Sequence, residues 1–282
     1  MRPDDDLVST HDGLDVRTYL LTGATSGIGR ATALALAGRG ARLVLACRSA
    51  ERARAVIEQV EAAPDPAHAV AVPLDLADLA SVRACAAAVV ARGEPIHVLI
   101  NNAGVAGVRG ATAQGFELGF GVNHLGHFLL TRLLLDGLRD GAPGRVVNLA
   151  SKAHYGAKGL DWDALQRPTR TRTGLVEYQV AKLCNVLFTR ELARRGTETV
   201  AVHPGVIASG IWRPVPWPLR PLATRFMGTP EAGARATLRW ATGALGVPSG
   251  SYVDVDREAE PSRLVTDELA ADLWRRSEAW TS

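Results

Sequence analysis

The feature that most constrains this chain is its regular alternation of short, unbroken apolar runs with longer stretches of helical period. Tyr19-Leu20-Leu21 runs into a glycine turn, and Ile28 to Arg39 follows with Ala and Leu at helical spacing. Ala41 to Ala46 precedes a helical stretch from Glu51 to Ala62, and Ala69 to Leu74 precedes one from Leu79 to Ala91. Ile96 to Ile100 leads to a long helix from about Gln114 to Leu138. Arg145 to Leu149 is separated by a polar, irregular stretch, Ala153 to Gly174, from a strongly amphipathic helix, Leu175 to Arg195. Thr199 to Val202 and Ser251 to Val255 bring the count to about seven strands. Strands that are apolar throughout are buried on both faces, so the pattern predicts an α/β chain: a doubly wound parallel sheet with helices on both faces. In such a sheet ligands sit beyond the carboxyl ends of the strands. No internal repeat or low-complexity linker interrupts the rhythm, which predicts an N-terminal tail over 1–15 and a single domain over 16–282.

Composition narrows the function classes. The 282 residues carry 32 Lys+Arg against 29 Asp+Glu, a net charge of +3, and no run of five or more like charges, which argues against a nucleic-acid partner. Cys47, Cys85 and Cys184 have no CxxC spacing and fit neither a disulfide framework nor a zinc site, so no metal is expected and a reducing, cytoplasmic setting is. Met1 to Asp15 is acidic rather than basic-then-apolar, and no run approaches eighteen apolar residues without a charge, so neither a signal peptide nor a membrane anchor is expected. Only three basic residues are lysines (Lys152, Lys158 and Lys182), the rest being arginine. That bias is what a GC-rich genome produces, and it makes each lysine worth questioning.

Thr22-Gly23-Ala24-Thr25-Ser26-Gly27-Ile28-Gly29 lies between the first strand and the first helix. A phosphate bound there needs backbone N–H donors at close range, with glycines where a Cβ would collide and the helix dipole adding attraction. A plain strand-to-helix turn is the alternative. The TGxxxGxG spacing resembles that of the short-chain dehydrogenase/reductase family, with a Rossmann-type fold. Asp75-Leu76 ends the third strand, where the resemblance implies contacts to an adenine ring. Asn101-Asn102-Ala103-Gly104 looks like the family's NNAG motif, supporting the sheet and the adenosine ribose. The second strand ends Leu45-Ala46-Cys47-Arg48, with no carboxylate to hold ribose hydroxyls; a guanidinium fork suits a 2′-phosphate, which favours NADP(H) over NAD(H).

Tyr178 and Lys182 stand four apart and share a helix face. A free phenol, with pKa about 10, is a poor acid or base at neutral pH. A neighbouring ammonium is expected to lower that pKa and fit the phenol for proton exchange with a carbonyl or alcohol oxygen. Such a pair is usually a solvated face; here it resembles the family's YxxxK signature. The resemblance assigns Ser151, at the end of the fifth strand, to hydrogen-bonding the substrate oxygen, although the family's common Ser-Ser pair is Ala150-Ser151 here. Asn123, in Val122-Asn123-His124-Leu125-Gly126-His127-Phe128, matches a helix asparagine that holds a water linking Lys182 to solvent. His124 and His127 are read as packing or surface groups. Tyr155 has Gly159 at i+4 and is a decoy. His203-Pro204-Gly205-Val206 resembles the turn beside the nicotinamide, and Ser209 falls at a further cofactor contact.

Leu45 to Arg48, Leu183 to Leu192, Val202 to Val206 and Ser249 to Val253 resemble the retinol-dehydrogenase-like branch. The chain therefore reads as an NADP(H)-dependent oxidoreductase that interconverts a carbonyl and an alcohol on a bulky hydrophobic or aromatic substrate. The stretch at about 206–228, with Trp212 and Trp217, reads as an apolar lid over that substrate, a surface loop being the alternative. A catalytically silent NADP(H)-binding sensor or scaffold is the competing function. Members of the family commonly pair through their long helices, so an exposed apolar face on Leu175 to Arg195 would allow a homodimer or homotetramer.

Overall fold

A computed structural model describes residues 17–62, 67–140, 144–207 and 228–282. Its strands are β1 (Thr18–Thr22), β2 (Arg42–Cys47), β3 (Ala69–Pro73), β4 (Val98–Asn101), β5 (Arg145–Leu149), β6 (Glu198–His203), β7 (Tyr252–Asp254) and β8 (Arg257–Glu258). They form one sheet in the order β3-β2-β1-β4-β5-β6-β7-β8. Neighbours are parallel except the last pair, where β8 folds back antiparallel on β7. The eighth strand exceeds the seven expected. It is two exposed, charged residues, with no apolar pattern from which to read it.

The parallel strands are largely apolar because their alternate residues feed cores on opposite faces. Alternate side chains point to opposite faces of a strand. Tyr19, Leu21, Leu43 and Leu45 therefore pack with Leu36, Val56 and Trp240 on one face. Leu20, Val44, Ala46 and Leu99 pack with Val82, Phe128, Leu134 and Trp274 on the other. The helices doing the covering are α1 (Gly27–Ala37), α2 (Ala50–Glu61), α3 (Leu79–Val90), α4 (Gly126–Asp140), α5 (Leu175–Arg194), α6 (Pro230–Thr242) and α7 (Asp267–Trp280).

Three expectations about the helices change. The long helix read from Gln114 begins at Leu118 instead: one helical turn, Leu118–Phe120, and a π-turn, Gly121–Leu125, precede α4. The buried Glu117 caps it, accepting from the Phe120 N–H at 2.7 Å. Helix α5 is not amphipathic over its middle: every residue from Ala181 to Thr189 is buried. One side meets the sheet, and α7 covers another, placing Trp274 at 5.0 Å from Phe128 and stacked on Phe188 at 5.9 Å. The face that could have been exposed is thus largely occupied by the chain's own C-terminal helix, with Leu175 and Val176 exposed at its start. The irregular stretch before α5 holds a 3-10 turn, Lys152–Gly156, and a short helix, Trp162–Leu165.

The sheet order reverses direction between β1 and β4. A crevice opens at such a point, beyond the carboxyl ends of the two strands. Those ends are Thr22 and Asn101, so the topology delivers the glycine loop and the Asn101–Gly104 segment to one place.

Candidate active site

The crevice is a cleft of about 750 Å³. Gly23, Ser26, Gly27, Ile28 and Gly29 line one end, with Arg48 beside them. Asp75, Leu76, Asn102, Ala103 and Gly104 line its floor, and Ser151, Tyr178, Lys182, Pro204, Gly205 and Val206 the other end. Thr22 and Asn123 stand behind the wall. Ser209, Trp212 and Trp217, with nearly all of the expected lid, lie outside the described residues. A second groove of about 470 Å³, by Arg190 and Glu258, is lined by neither the glycine loop nor Tyr178.

The glycine end fits an anion. Gly23 and Gly27 have φ of 70° and 52°, the left-handed region that glycine enters without strain. A Cβ on Gly29 would come within 2.3 Å of the Gly23 carbonyl oxygen and 2.5 Å of Asn102 Nδ2. Helices α2, α3, α6 and α7 each have a side-chain cap, from Ser49, Asp78, Thr229 and Thr266. Helix α1 has none: the Ser26 side chain makes no cap bond. Its first-turn N–H groups, on the cleft wall, are those a phosphate would accept from.

Asn102 secures this loop. Its Nδ2 donates to the Thr22 carbonyl at 2.8 Å, and the backbone N–H groups of Asn102 and Ala103 donate to Thr22 Oγ1 at 3.0 Å each. Both hydroxyl lone pairs are then engaged, so the Thr22 proton must be donated. His127 Nε2 stands at 2.9 Å, nearer than the Ile100 carbonyl at 3.4 Å. His127 Nε2 is therefore the acceptor, and its Nδ1–H donates to the Asn123 carbonyl at 3.1 Å. Burial holds this ring at a pKa of about 4, so it stays neutral. His127 is a buried bridge from the glycine loop to Asn123, more than the packing or surface group expected; no metal-like or catalytic spacing in the sequence marks it.

Asn123 sits in the π-turn, a rare geometry frequent at functional sites. Its side chain is anchored on one backbone unit: Oδ1 accepts from the Val105 N–H and Nδ2 donates to the Val105 carbonyl, both at 2.8 Å. Asp75 likewise spends Oδ1 locally, accepting from Ala77 N–H at 3.0 Å.

Lys182 is buried, and its Nζ donates to the Leu149 carbonyl at 2.7 Å. Burial, with no carboxylate to offset it, lowers its pKa to about 8. The ammonium stands 5.9 Å from the Tyr178 ring centre. The expected lowering of the Tyr178 pKa is not found. Burial raises it, and the one opposing influence is the hydrogen bond from Ser151. The phenol is therefore protonated at neutral pH, the form that donates a proton. Tyr155, the decoy, spends its hydroxyl on the Glu260 carbonyl at 2.5 Å.

Several cleft residues escaped sequence reasoning. Ser49 and Arg52 line it next to Arg48. Arg52 was one arginine among many; its signal was its place in the first turn of α2, which follows the end of β2 at the cleft. Val105, Ala106, Val108, Leu118 and Ala153 supply an apolar wall near Tyr178. Val105, Ala106 and Val108 come from a loop with no periodicity to read, while Leu118 opens a single helical turn and Ala153 lies in the 3-10 turn.

A family profile described as short chain dehydrogenase matches residues 17–161, just over half of the chain. Human retinol dehydrogenase 13 is 40% identical over 276 residues, covering 93% of this chain and 83% of the relative. The chain belongs to the short-chain dehydrogenase/reductase family. Human dehydrogenase/reductase SDR family member 13 is 43% identical over 273 residues, covering 93% of this chain and 72% of its own. These relatives put the chain in the retinol-dehydrogenase-like branch of this oxidoreductase family. Among solved structures, a protein from Mycobacterium Paratuberculosis is 33% identical with a TM-score of 0.72, covering 94% of this chain and 93% of its own. A blue fluorescent protein from a metagenomic library, in complex with NADPH, is 25% identical with a TM-score of 0.66, covering 85% and 96%. The family binds nicotinamide cofactors, and the glycine end of the cleft has the shape for one. Among the described residues no helix is long and apolar enough to cross a membrane.

Proposed function

We propose that this protein is an NADP(H)-dependent carbonyl reductase or alcohol dehydrogenase acting on a bulky apolar substrate. The observation that carries the reading is the meeting of Ser151, Tyr178 and Lys182 at one end of a cleft whose other end is an uncapped helix in a glycine loop. The cofactor, when bound, supplies or accepts the hydride at its nicotinamide. The protein's part is proton transfer and alignment. Ser151 donates its hydroxyl hydrogen to the substrate oxygen. Tyr178, kept protonated by burial, gives its proton to that oxygen as negative charge develops. Lys182, with a pKa of about 8, lies close enough to neutrality to pass a proton inward from solvent through a water held by Asn123.

Arg48 and Arg52 favour NADP(H). Two guanidinium groups on one stretch of wall, where Glu51 between them does not line the cleft, complement a 2′-phosphate and leave the ribose hydroxyls of NAD(H) without an acceptor. The aliphatic wall of Val105, Val108 and Leu118 favours an apolar substrate, and the names of the retinol dehydrogenase relatives point the same way. The test is an NADPH-oxidation screen over retinal, steroids, aromatic ketones and simple aldehydes, followed by Tyr178→Phe. The variant is expected to bind NADPH with unchanged affinity and to lose turnover. Retention of more than about a hundredth of the wild-type kcat would reject Tyr178 as the proton donor. Stoichiometric NADPH binding with no turnover across the screen would favour the silent binding protein.

A further inference from the structure

We propose that His154 is a positioning residue: it sets the orientation of Ser151 and latches the Ser151 turn to the segment around Ser262. The inference rests on the reading of Ser151 as the group that binds the substrate oxygen.

His154 is fully buried in the 3-10 turn that follows Ser151. Its Nδ1 stands 2.7 Å from the Ser151 carbonyl oxygen, and its Nε2 stands 3.1 Å from the backbone nitrogen of Ser262. Both partners are main-chain groups whose roles cannot reverse. A carbonyl only accepts and a backbone N–H only donates, so the ring carries its proton on Nδ1 and a lone pair on Nε2. One tautomer of the neutral ring satisfies the site, and burial, which lowers its pKa, keeps it neutral. Tyr155 and Tyr252 flank the ring at centroid distances of 4.0 and 4.6 Å.

The Ser151 carbonyl also accepts from the His154 backbone N–H at 3.1 Å. Two bonds on one oxygen hold the peptide plane after Ser151, and with it the direction in which the Ser151 side chain leaves the backbone. Ser151 Oγ in turn accepts from the Ala153 N–H at 3.2 Å, which leaves its own O–H as the group to donate. The far side of the ring holds a different part of the chain. Ser262 is bound by His154 and the Glu260 carbonyl by Tyr155, so two consecutive side chains of the turn hold one short segment. His154 thus spends its one ring N–H on the residue that must aim a hydroxyl, and its one lone pair on the segment that backs the turn.

Two near-isosteric variants separate the two bonds. His154→Asn puts an amide N–H where Nδ1–H stood; His154→Gln puts an amide oxygen where Nε2 stood. With NADPH and all-trans-retinal, or the fastest carbonyl of the screen, His154→Gln is expected to lower kcat by about tenfold or more with an unchanged Kd for NADPH. His154→Asn is expected to keep kcat within about threefold of the wild type. Amide hydrogen exchange should quicken over residues 151–154 in the Gln variant and over 259–263 in the Asn variant. Equal kcat losses in the two variants, losses that follow Tm alone, or the same exchange pattern in both would overturn the proposal. A wild-type protein that turns over no carbonyl would reject the functional reading instead, and the exchange patterns would still decide whether His154 positions Ser151.

Discussion

Lys182→Met should make the protein more stable while removing its activity. The Lys182 ammonium is buried, its pKa is about 8 against an ordinary 10.5, and desolvation is the cause. The shift of about 2.5 units corresponds to roughly 3 kcal/mol of destabilisation wherever both the folded and unfolded states carry the charge. The sign follows from proton counts. Between about pH 8 and 10.5 the unfolded chain holds a proton that the folded chain has released, so stability rises with pH across that window, and below it the cost is complete. Methionine removes the charge and fills much of the same volume. It also removes a hydrogen bond to the Leu149 carbonyl, worth about 1 kcal/mol, but Asn185 Nδ2 still donates to that oxygen at 3.0 Å. The net gain expected at about pH 7 is near 2 kcal/mol. Urea unfolding of both proteins without cofactor should show a midpoint higher by about 0.7 M for an m-value of about 3 kcal/mol/M. At about pH 9.5 the difference should shrink to well under half. A variant less stable than the wild type at neutral pH, or a gap that ignores pH, would refute the view that this lysine is retained for chemistry at the expense of stability.

Other perturbations test the remaining parts of the site. Gly29→Ala places a methyl group 2.3 Å from the Gly23 carbonyl and should cost about 1–3 kcal/mol in urea unfolding and abolish NADPH binding by fluorescence titration; wild-type affinity would contradict the close packing. Burial holds His124 at a pKa of about 3, and His127 and His203 at about 4, all well below 6.5. The unfolded chain takes up these protons first, so stability should fall as pH drops from about 6.5 toward 4, and a Tm flat over that range would contradict it. Arg48→Ala and Arg52→Ala should each raise the Kd for NADPH about tenfold and leave that for NADH unchanged; equal effects on both cofactors would remove the 2′-phosphate assignment.

The fold was legible because each strand reports its own burial. Leu20 and Leu21 face opposite cores, so the run carries no alternation, and only a sheet covered on both sides explains that. The glycine loop was legible because a close approach leaves a chemical mark, the absence of a Cβ. The ends of elements were less so. The π-turn at Gly121–Leu125 has no residue preference strong enough to announce it, and β8 is two charged residues with no apolar pattern. Arg52 was hidden by the abundance of arginine, and Val105, Ala106 and Val108 of the apolar wall by their origin in a loop.

The sequence by itself determined the residue types and their order: glycines between a strand and a helix, a tyrosine four before a lysine, and strands apolar on both faces. Those are local properties, and local spacing suffices to read them. Only the tertiary structure decided what each group is free to do. Asn123 spends its amide on Val105, Lys182 its ammonium on Leu149, and His127 and His154 their single ring protons on the carbonyls of Asn123 and Ser151. The Tyr178 pKa moves up rather than down because burial outweighs the hydrogen bond from Ser151. Hydrogen-bond partners and desolvation are set by atoms distant in the chain, and no pattern within a segment encodes them.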